Sequence, residues 1–224
     1  HVVTDHGTIE TECVVNAAGL WARQVGRLAG VDIPAGVVEH QYLVTEKTND
    51  IADGIPALRD PDGNFYVKPE PGALAIGGWE RQTKPCFSKD GLPWDMERHL
   101  FDANLDRLEE IFEPAARRIP ILNELGVRTI VNGPIPISPD GEPIMGLVPT
   151  TENFYAACGF TSGIAASGGA GKAMANWIIE GDPGLDLWPF DIRRFGAVHT
   201  GHAFLHDRAV ESYSKYYAIP WPGD

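Results

Sequence analysis

The chain has 224 residues, 43% hydrophobic and 22% charged, the proportions of an ordinary globular protein with room for one or two domains. Eighteen Lys and Arg against 31 Asp and Glu leave a net charge of −13, which repels phosphate backbones and anionic membrane surfaces and excludes nucleic acid as a partner. No apolar run nears the ~18 residues of a membrane span, and Cys13, Cys86 and Cys158 are too widely spaced for a disulfide framework or zinc site.

The opening His1-Val2-Val3-Thr4 carries no Met, basic leader or cleavage site, so the chain is expected to be an excerpt that begins in mid-strand. Val2-Val3-Thr4 and Thr8-Ile9-Glu10 flank Asp5-His6-Gly7 as a hairpin. Val14 to Gly19 reads as an apolar strand, and Trp21 to Ala29 as a helix stopped at Gly30. His40–Thr45, Phe65–Lys68 and Leu74–Gly78 are short β-type runs separated by turn chemistry, the pattern of an antiparallel sheet. Apolar spacing predicts a helix over Met96–Phe112, with Asp95 as N-cap and Pro114 as its end. Val127–Val131 is strand-like, whereas Gly133 to Pro143 holds too many prolines for a ladder and is expected to be an ordered loop. Asn153–Cys158 predicts a strand, followed by Gly159-Phe160-Thr161-Ser162-Gly163 and a helix to Gly181. The remainder is mixed, with an aromatic tail at Pro220-Trp221-Pro222.

Glycines at a strand-to-helix turn let backbone N–H groups approach a ligand, and a helix N-terminus adds partial positive charge. Gly159–Gly163 is therefore a candidate ligand loop, although a tight packing turn gives the same pattern. Gly168-Gly169-Ala170-Gly171 within the following helix points either to close contact with a backbone or cofactor, or to fraying. A P-loop is excluded by Ala166 and Ala173 at its required positions, and no GxGxxG follows any strand. On residues alone His40 and Tyr66 read as strand side chains that pack or hydrogen-bond. His199, His202 and His206 have the spacing of one helical face, but no carboxylate or Cys completes a metal set.

Several segments in this order resemble the D-amino-acid-oxidase-like flavoproteins, in particular the dimethylglycine and sarcosine dehydrogenase branch. They are Thr4–Ile9 with Val14–Ala22, Glu39–Thr45, Phe65–Glu70, Gly77-Gly78-Trp79-Glu80, Pro139–Gly146, and Cys158–Ile164 with Gly168–Lys172. The resemblance implies an α/β fold in which a Rossmann-like FAD domain is interleaved with an antiparallel substrate domain. It divides the chain into FAD-domain segments at 1–30 and 115–185, a substrate domain at 31–114, and from 186 to 224 a connection toward an absent folate-binding aminomethyltransferase domain.

The same resemblance implies cofactor contacts at Ala17, Ala18 and Gly19, and at Gly159, Phe160, Thr161, Ser162, Gly163 and Ile164. It places His40 beside the substrate as acceptor of the amine proton or as its anchor, and Tyr66 as a donor to the substrate carboxylate; Arg59 and Lys68 are further candidates to add positive charge there. The implied reaction is hydride transfer from an N-methylated amino acid to FAD, in the cytoplasm or, in a eukaryote, the mitochondrial matrix. Its partners would be that substrate, an electron acceptor, tetrahydrofolate in the downstream domain, and an N-terminal FAD-binding half. The GxGxxG unit, its ribose-binding acid and the His that bonds FAD covalently in some members are not in this sequence. Two alternatives are a non-catalytic regulatory homologue, of the kind found in a phosphatase regulatory subunit, and an oxidase that uses O2.

Overall fold

A computed structural model describes residues 1–97 and 99–218. β1 (Val2–Thr4) and β2 (Gly7–Ile9) form the expected antiparallel hairpin, with Val2 opposite Ile9. β3 (Val14–Asn16) stops short of Gly19 because the Asn16 side chain turns the chain: its Nδ2 donates to the Ala22 carbonyl at 2.8 Å and its Oδ1 accepts from the Ala18 amide at 3.2 Å. A 3-10 turn at Gly19–Trp21 leads into α1 (Ala22–Leu28). Next come β4 (Gly36–Thr45), β5 (Leu58–Asp60), β6 (Phe65–Glu70) and β7 (Ala73–Gly78). After them follow α2 (Leu105–Arg118), β8 (Val127–Ile137), β9 (Ile144–Leu147), β10 (Phe154–Cys158), α3 (Gly163–Glu180) and α4 (His202–Ser214).

Three expectations are corrected. The helix expected over Met96–Phe112 is α2 instead, because Asn104, in extended backbone, accepts the Arg107 amide at 3.1 Å and caps the helix there. Pro114 lies inside α2; the helix continues past it with Ala115 and Ala116 buried, while Leu100 and Leu105 are exposed. Gly133 to Ile137 is strand, not loop, and its prolines are accommodated because β8 is the outermost strand of its sheet. The histidine set does not share a helical face: His199 sits in a 3-10 turn, with its Nδ1 3.1 Å from the Gly196 carbonyl, and Gly201 separates that turn from α4, which bears His202 and His206. Among the described residues no cluster of three metal-ligating side chains occurs. Pro220-Trp221-Pro222 lies outside the described residues.

The chain divides into two compact units, each built from separated segments. The first comprises His1–Val37, Phe87–Trp94 and Pro136–Ala209. Its three-stranded sheet has β10 in the centre, parallel to β3 and antiparallel to β9, over a core that includes Ala22, Ile33, Ile144, Phe154, Ala156 and Cys158. β10 supplies Phe154, Ala156 and Cys158 to that core by strict alternation, the period of a strand. α3 ends where Gly181 takes a left-handed conformation and bonds the Trp177 carbonyl at 3.1 Å.

The second unit comprises Val38–Cys86, Asp95–Ile135 and the chain from Val210. Its five-stranded sheet runs β5-β6-β7-β4-β8, antiparallel from β5 through β4. Leu43, Phe65, Leu74 and Ile76 pack with Ile111, Ala115 and Ala116 of α2, each large side chain contributing about 1.5–3 kcal/mol. Among the described residues no helix is long and apolar enough to cross a membrane.

Candidate cofactor cavity and buried histidine chain

In the first unit β10 hands over to α3 through Gly159–Ser162. Gly159 holds φ at 70°, and a Cβ there would meet Ile144 Cγ1 at 3.3 Å, so backbone and space both favour glycine. Ser162 precedes the helix without making a side-chain capping bond, which leaves the first-turn amides and the positive end of α3 unserved by their N-cap. Beside this turn lies a cavity of about 400 Å³. Val15, Ala17 and Gly19 wall it on the β3 side, Ala157 to Phe160 on the β10 side, and Gly163, Ser167, Ala170, Gly171 and Met174 along α3, with Pro136.

Of the expected cofactor residues, the cavity gathers Ala17, Gly19, Gly159, Phe160 and Gly163. Ala18, Thr161, Ser162 and Ile164 do not line it, and Ile164 is 98% exposed. A Cβ added at Gly168, Gly169 or Gly171 would meet nothing within 4 Å, so these glycines do not serve close packing inside the unit. Of the three, Gly171 lines the cavity and keeps the helix surface low there. Small apolar walls and a helix N-terminus fit a flat, largely apolar ring system with acceptor atoms at one edge, which is what a flavin presents.

In the second unit the structure brings His40 and Tyr66 together. β4 carries His40 and β6 carries Tyr66, whose Oη lies 3.0 Å from His40 Nε2. Across the β6–β7 ladder Tyr66 faces Gly77, and a Cβ at Gly77 would overlap the phenol ring and its hydroxyl, so the glycine makes room for the tyrosine. On the other side of the imidazole, Nδ1 lies 2.8 Å from Tyr213 Oη on α4. Tyr213 Oη donates in turn to Glu80 Oε2 at 2.6 Å, with a longer 3.4 Å approach to the Gly78 carbonyl. Glu80 Oε1 accepts from Arg107 Nε at 3.1 Å and also from Arg107 Nη2. Arg107 Nη1 donates to Glu39 Oε2 at 2.6 Å, and Asn132 Nδ2 donates to the same oxygen at 3.1 Å. The Trp79 ring lies against both His40 and Tyr213, with centroids 5.1 and 5.0 Å away.

Proton counting fixes the direction of this chain. An ionised Glu80 only accepts, so the Tyr213 proton points at Glu80 and the Tyr213 oxygen accepts from His40 Nδ1–H. A neutral His40 then presents its Nε2 lone pair to the Tyr66 hydroxyl. Burial, and after it the charge of Arg107, pulls His40 from 6.5 down to about 4, so the ring is neutral near pH 7. Burial pushes the Tyr66 hydroxyl up, helped by Tyr217, Tyr42 and Glu80, and it pushes Tyr213 well up too. Burial also raises Glu80, against hydrogen bonds from Tyr213 and Arg107 and the Arg107 charge.

This accounting changes the role expected for Tyr66. Its one proton is committed to His40, so in this arrangement it offers a substrate lone pairs rather than a donor. Arg59 lies over the Tyr217 ring at 5.8 Å and Lys68 pairs with Glu70 at 3.0 Å. Glu80, Arg107 and Tyr213 were not singled out by sequence reasoning. Glu80 lay within the quoted Gly77–Glu80 segment, but the links from Glu80 to Arg107 and Tyr213 span 27 and 133 positions and leave no local spacing to read.

A three-stranded α/β unit with a small-residue cavity at a helix N-terminus, and a separate antiparallel sheet holding a neutral buried histidine, together define a cofactor-dependent oxidoreductase architecture. The chain belongs to the FAD dependent oxidoreductase (DAO) family, whose profile matches residues 1–177, and residues 180–224 match the FAD dependent oxidoreductase central domain. It is 39% identical over 225 residues to mitochondrial sarcosine dehydrogenase of Mus musculus, a match covering all of this chain and 24% of that protein. It is 36% identical over 228 residues to mitochondrial dimethylglycine dehydrogenase of Rattus norvegicus, covering 99% of this chain and 26% of that protein. The chain thus spans about a quarter of the length of these relatives. L-proline dehydrogenase from P. horikoshii shares the fold at a TM-score of 0.69 and 24% identity, over 86% of this chain and 49% of that one.

Proposed function

We propose that the full protein oxidises an N-methylated amino acid of the sarcosine or dimethylglycine kind. The observation that carries this reading is the Tyr66–His40 pair: a neutral imidazole, hydrogen-bonded at both nitrogens, on the antiparallel sheet of a DAO-family chain. The names of the relatives supply the substrate class. FAD, when bound, supplies the two-electron acceptor for the hydride that leaves the N-methyl carbon.

The residues of this chain do the rest. Ala17, Gly19, Gly159, Phe160 and Gly163 would hold the flavin ring by shape and the α3 amides its acceptor edge. Hydride departure needs the amine lone pair, so an ammonium substrate must first give up its proton. Tyr66, with lone pairs free and its own proton on His40, is the group that can take it. The oxidised iminium would hydrolyse to formaldehyde and the demethylated amino acid, or pass its one-carbon unit to tetrahydrofolate in a downstream domain. An electron acceptor and an N-terminal FAD-binding segment complete this reading, with the mitochondrial matrix as its site in a eukaryote.

The test is the visible spectrum of the full-length protein under anaerobic conditions. Flavin bands bleached by sarcosine or dimethylglycine support the reading. Flavin bands that neither amine bleaches would refute it, and absence of flavin would favour a non-catalytic homologue.

A further inference from the structure

We propose that Glu80 is the terminal acceptor of the proton that leaves the substrate amine, reached through Tyr66, His40 and Tyr213; this rests on the amine-oxidation reading above. The four groups form an unbroken chain of 3.0, 2.8 and 2.6 Å from Tyr66 Oη to Glu80 Oε2. One end, at Tyr66 and His40, is half-buried, and the other end is closed, with Glu80 1% and Tyr213 0% exposed.

The transfer balances without charging any intermediate group. The substrate N–H bond breaks and its proton goes to Tyr66 Oη. The Tyr66 proton goes to His40 Nε2, the Nδ1 proton to Tyr213 Oη, and the Tyr213 proton to Glu80 Oε2. The substrate nitrogen goes from ammonium to neutral amine, Glu80 from anion to acid, and the imidazole ends neutral in its other tautomer.

Charge in the closed end favours this direction. Two carboxylates, Glu80 and Glu39, share the single Arg107 guanidinium, so the buried cluster carries one negative charge in excess. A proton on Glu80 removes that excess and leaves Arg107 paired with Glu39. His40 is a poor resting place by comparison, because a cationic imidazole would be buried close to Arg107. The other titratable groups that act on the chain are Tyr42 and Tyr217 on Tyr66, and Cys86, which feels the charge of Glu39. Tyr213 is thus a positioning residue, and Glu80 the reservoir behind it.

The test uses the full-length, FAD-loaded protein. Flavin reduction by sarcosine or dimethylglycine is followed anaerobically across pH, and infrared difference spectra record substrate binding to the pre-reduced protein. Wild type should show a carboxylic-acid C=O band on binding, and Glu80→Gln should abolish it. Tyr213→Phe keeps the Glu80–Arg107 pair; it should also abolish the band, slow flavin reduction by about a hundredfold, and move the acid limb of the pH profile up toward the free amine's own pKa. If Glu80→Gln does not fold, Tyr213→Phe decides alone. A Tyr213→Phe protein that keeps the band, or loses rate equally at every pH, overturns the relay. A wild-type flavin that neither amine bleaches overturns the functional reading, and the relay falls with it.

Discussion

Replacing Arg107 with Met strips the buried cluster of its one cation. The Arg107 and Glu80 side chains are 4% and 1% exposed, so water cannot stand in for the lost partner. Glu80 Oε1 would lose both of its guanidinium donors, and Glu39 Oε2 would keep only Asn132. Breaking a buried pair from one side costs about 3–5 kcal/mol, which for a chain of 224 residues lowers the midpoint of thermal unfolding by about 6–20 °C.

The loss should depend on pH. Burial already holds Glu80 above its unfolded value, and removing Arg107 raises it further. A carboxyl raised on folding binds its proton more tightly in the folded state, so its contribution is full below the unfolded pKa and is lost as pH rises through the folded one. The variant should therefore trail the wild type by more at about pH 7.5 than at about pH 5. Adding Glu80→Gln to Arg107→Met removes the stranded charge and should recover part of the stability at the higher pH. Unfolding of the FAD-loaded protein, followed by circular dichroism at both pH values, measures this. A gap between variant and wild type that does not change with pH, with no recovery in the double variant, would refute the reasoning.

Two further outcomes follow from the first unit and its buried thiol. Gly171→Ala should stabilise α3 by about 1 kcal/mol, because its Cβ meets nothing in the chain, yet it should weaken FAD retention on dialysis by filling the cavity; unchanged flavin retention would place the ring elsewhere. Burial pushes the Cys158 thiol up to about 12, so iodoacetamide at neutral pH should leave it unmodified by mass spectrometry until the protein is unfolded, whereas rapid native labelling would contradict its burial.

Much of the scaffold was legible because local chemistry and tertiary structure agree. The alternation of Phe154–Cys158, the left-handed stop at Gly181 and the β-runs around Tyr42, Val67 and Ile76 all formed as their residues suggest. The misreadings came where two local signals competed or where the answer was not local. Both Asp95 and Asn104 are good caps, and only the packing of Ile111, Ala115 and Ala116 against the sheet chooses Asn104. Pro134 and Pro136 forbid a central strand but not an outermost one, and strand order is invisible from composition. Part of the candidate site was legible in the same sense. His40 and Tyr66 stood out through the motifs around them, while Glu80 just past β7, Arg107 on α2 and Tyr213 on α4 acquire meaning only in the folded unit.

The parallel pairing of β3 with β10 also bears on how the chain folds. It joins Val14–Asn16 to Phe154–Ala156, roughly 140 positions apart, and closing so long a loop costs about 4 kcal/mol of chain entropy before any contact repays it. The β6–β7 hairpin closes across a two-residue turn and has no such debt. The antiparallel sheet should therefore assemble first, its own compactness bringing the two distant strands within reach. On a ribosome, the cavity beside α3 could be completed only after the last residues of β10 and α3 had emerged, so the antiparallel sheet precedes it, while Tyr213 of the histidine chain is added later still.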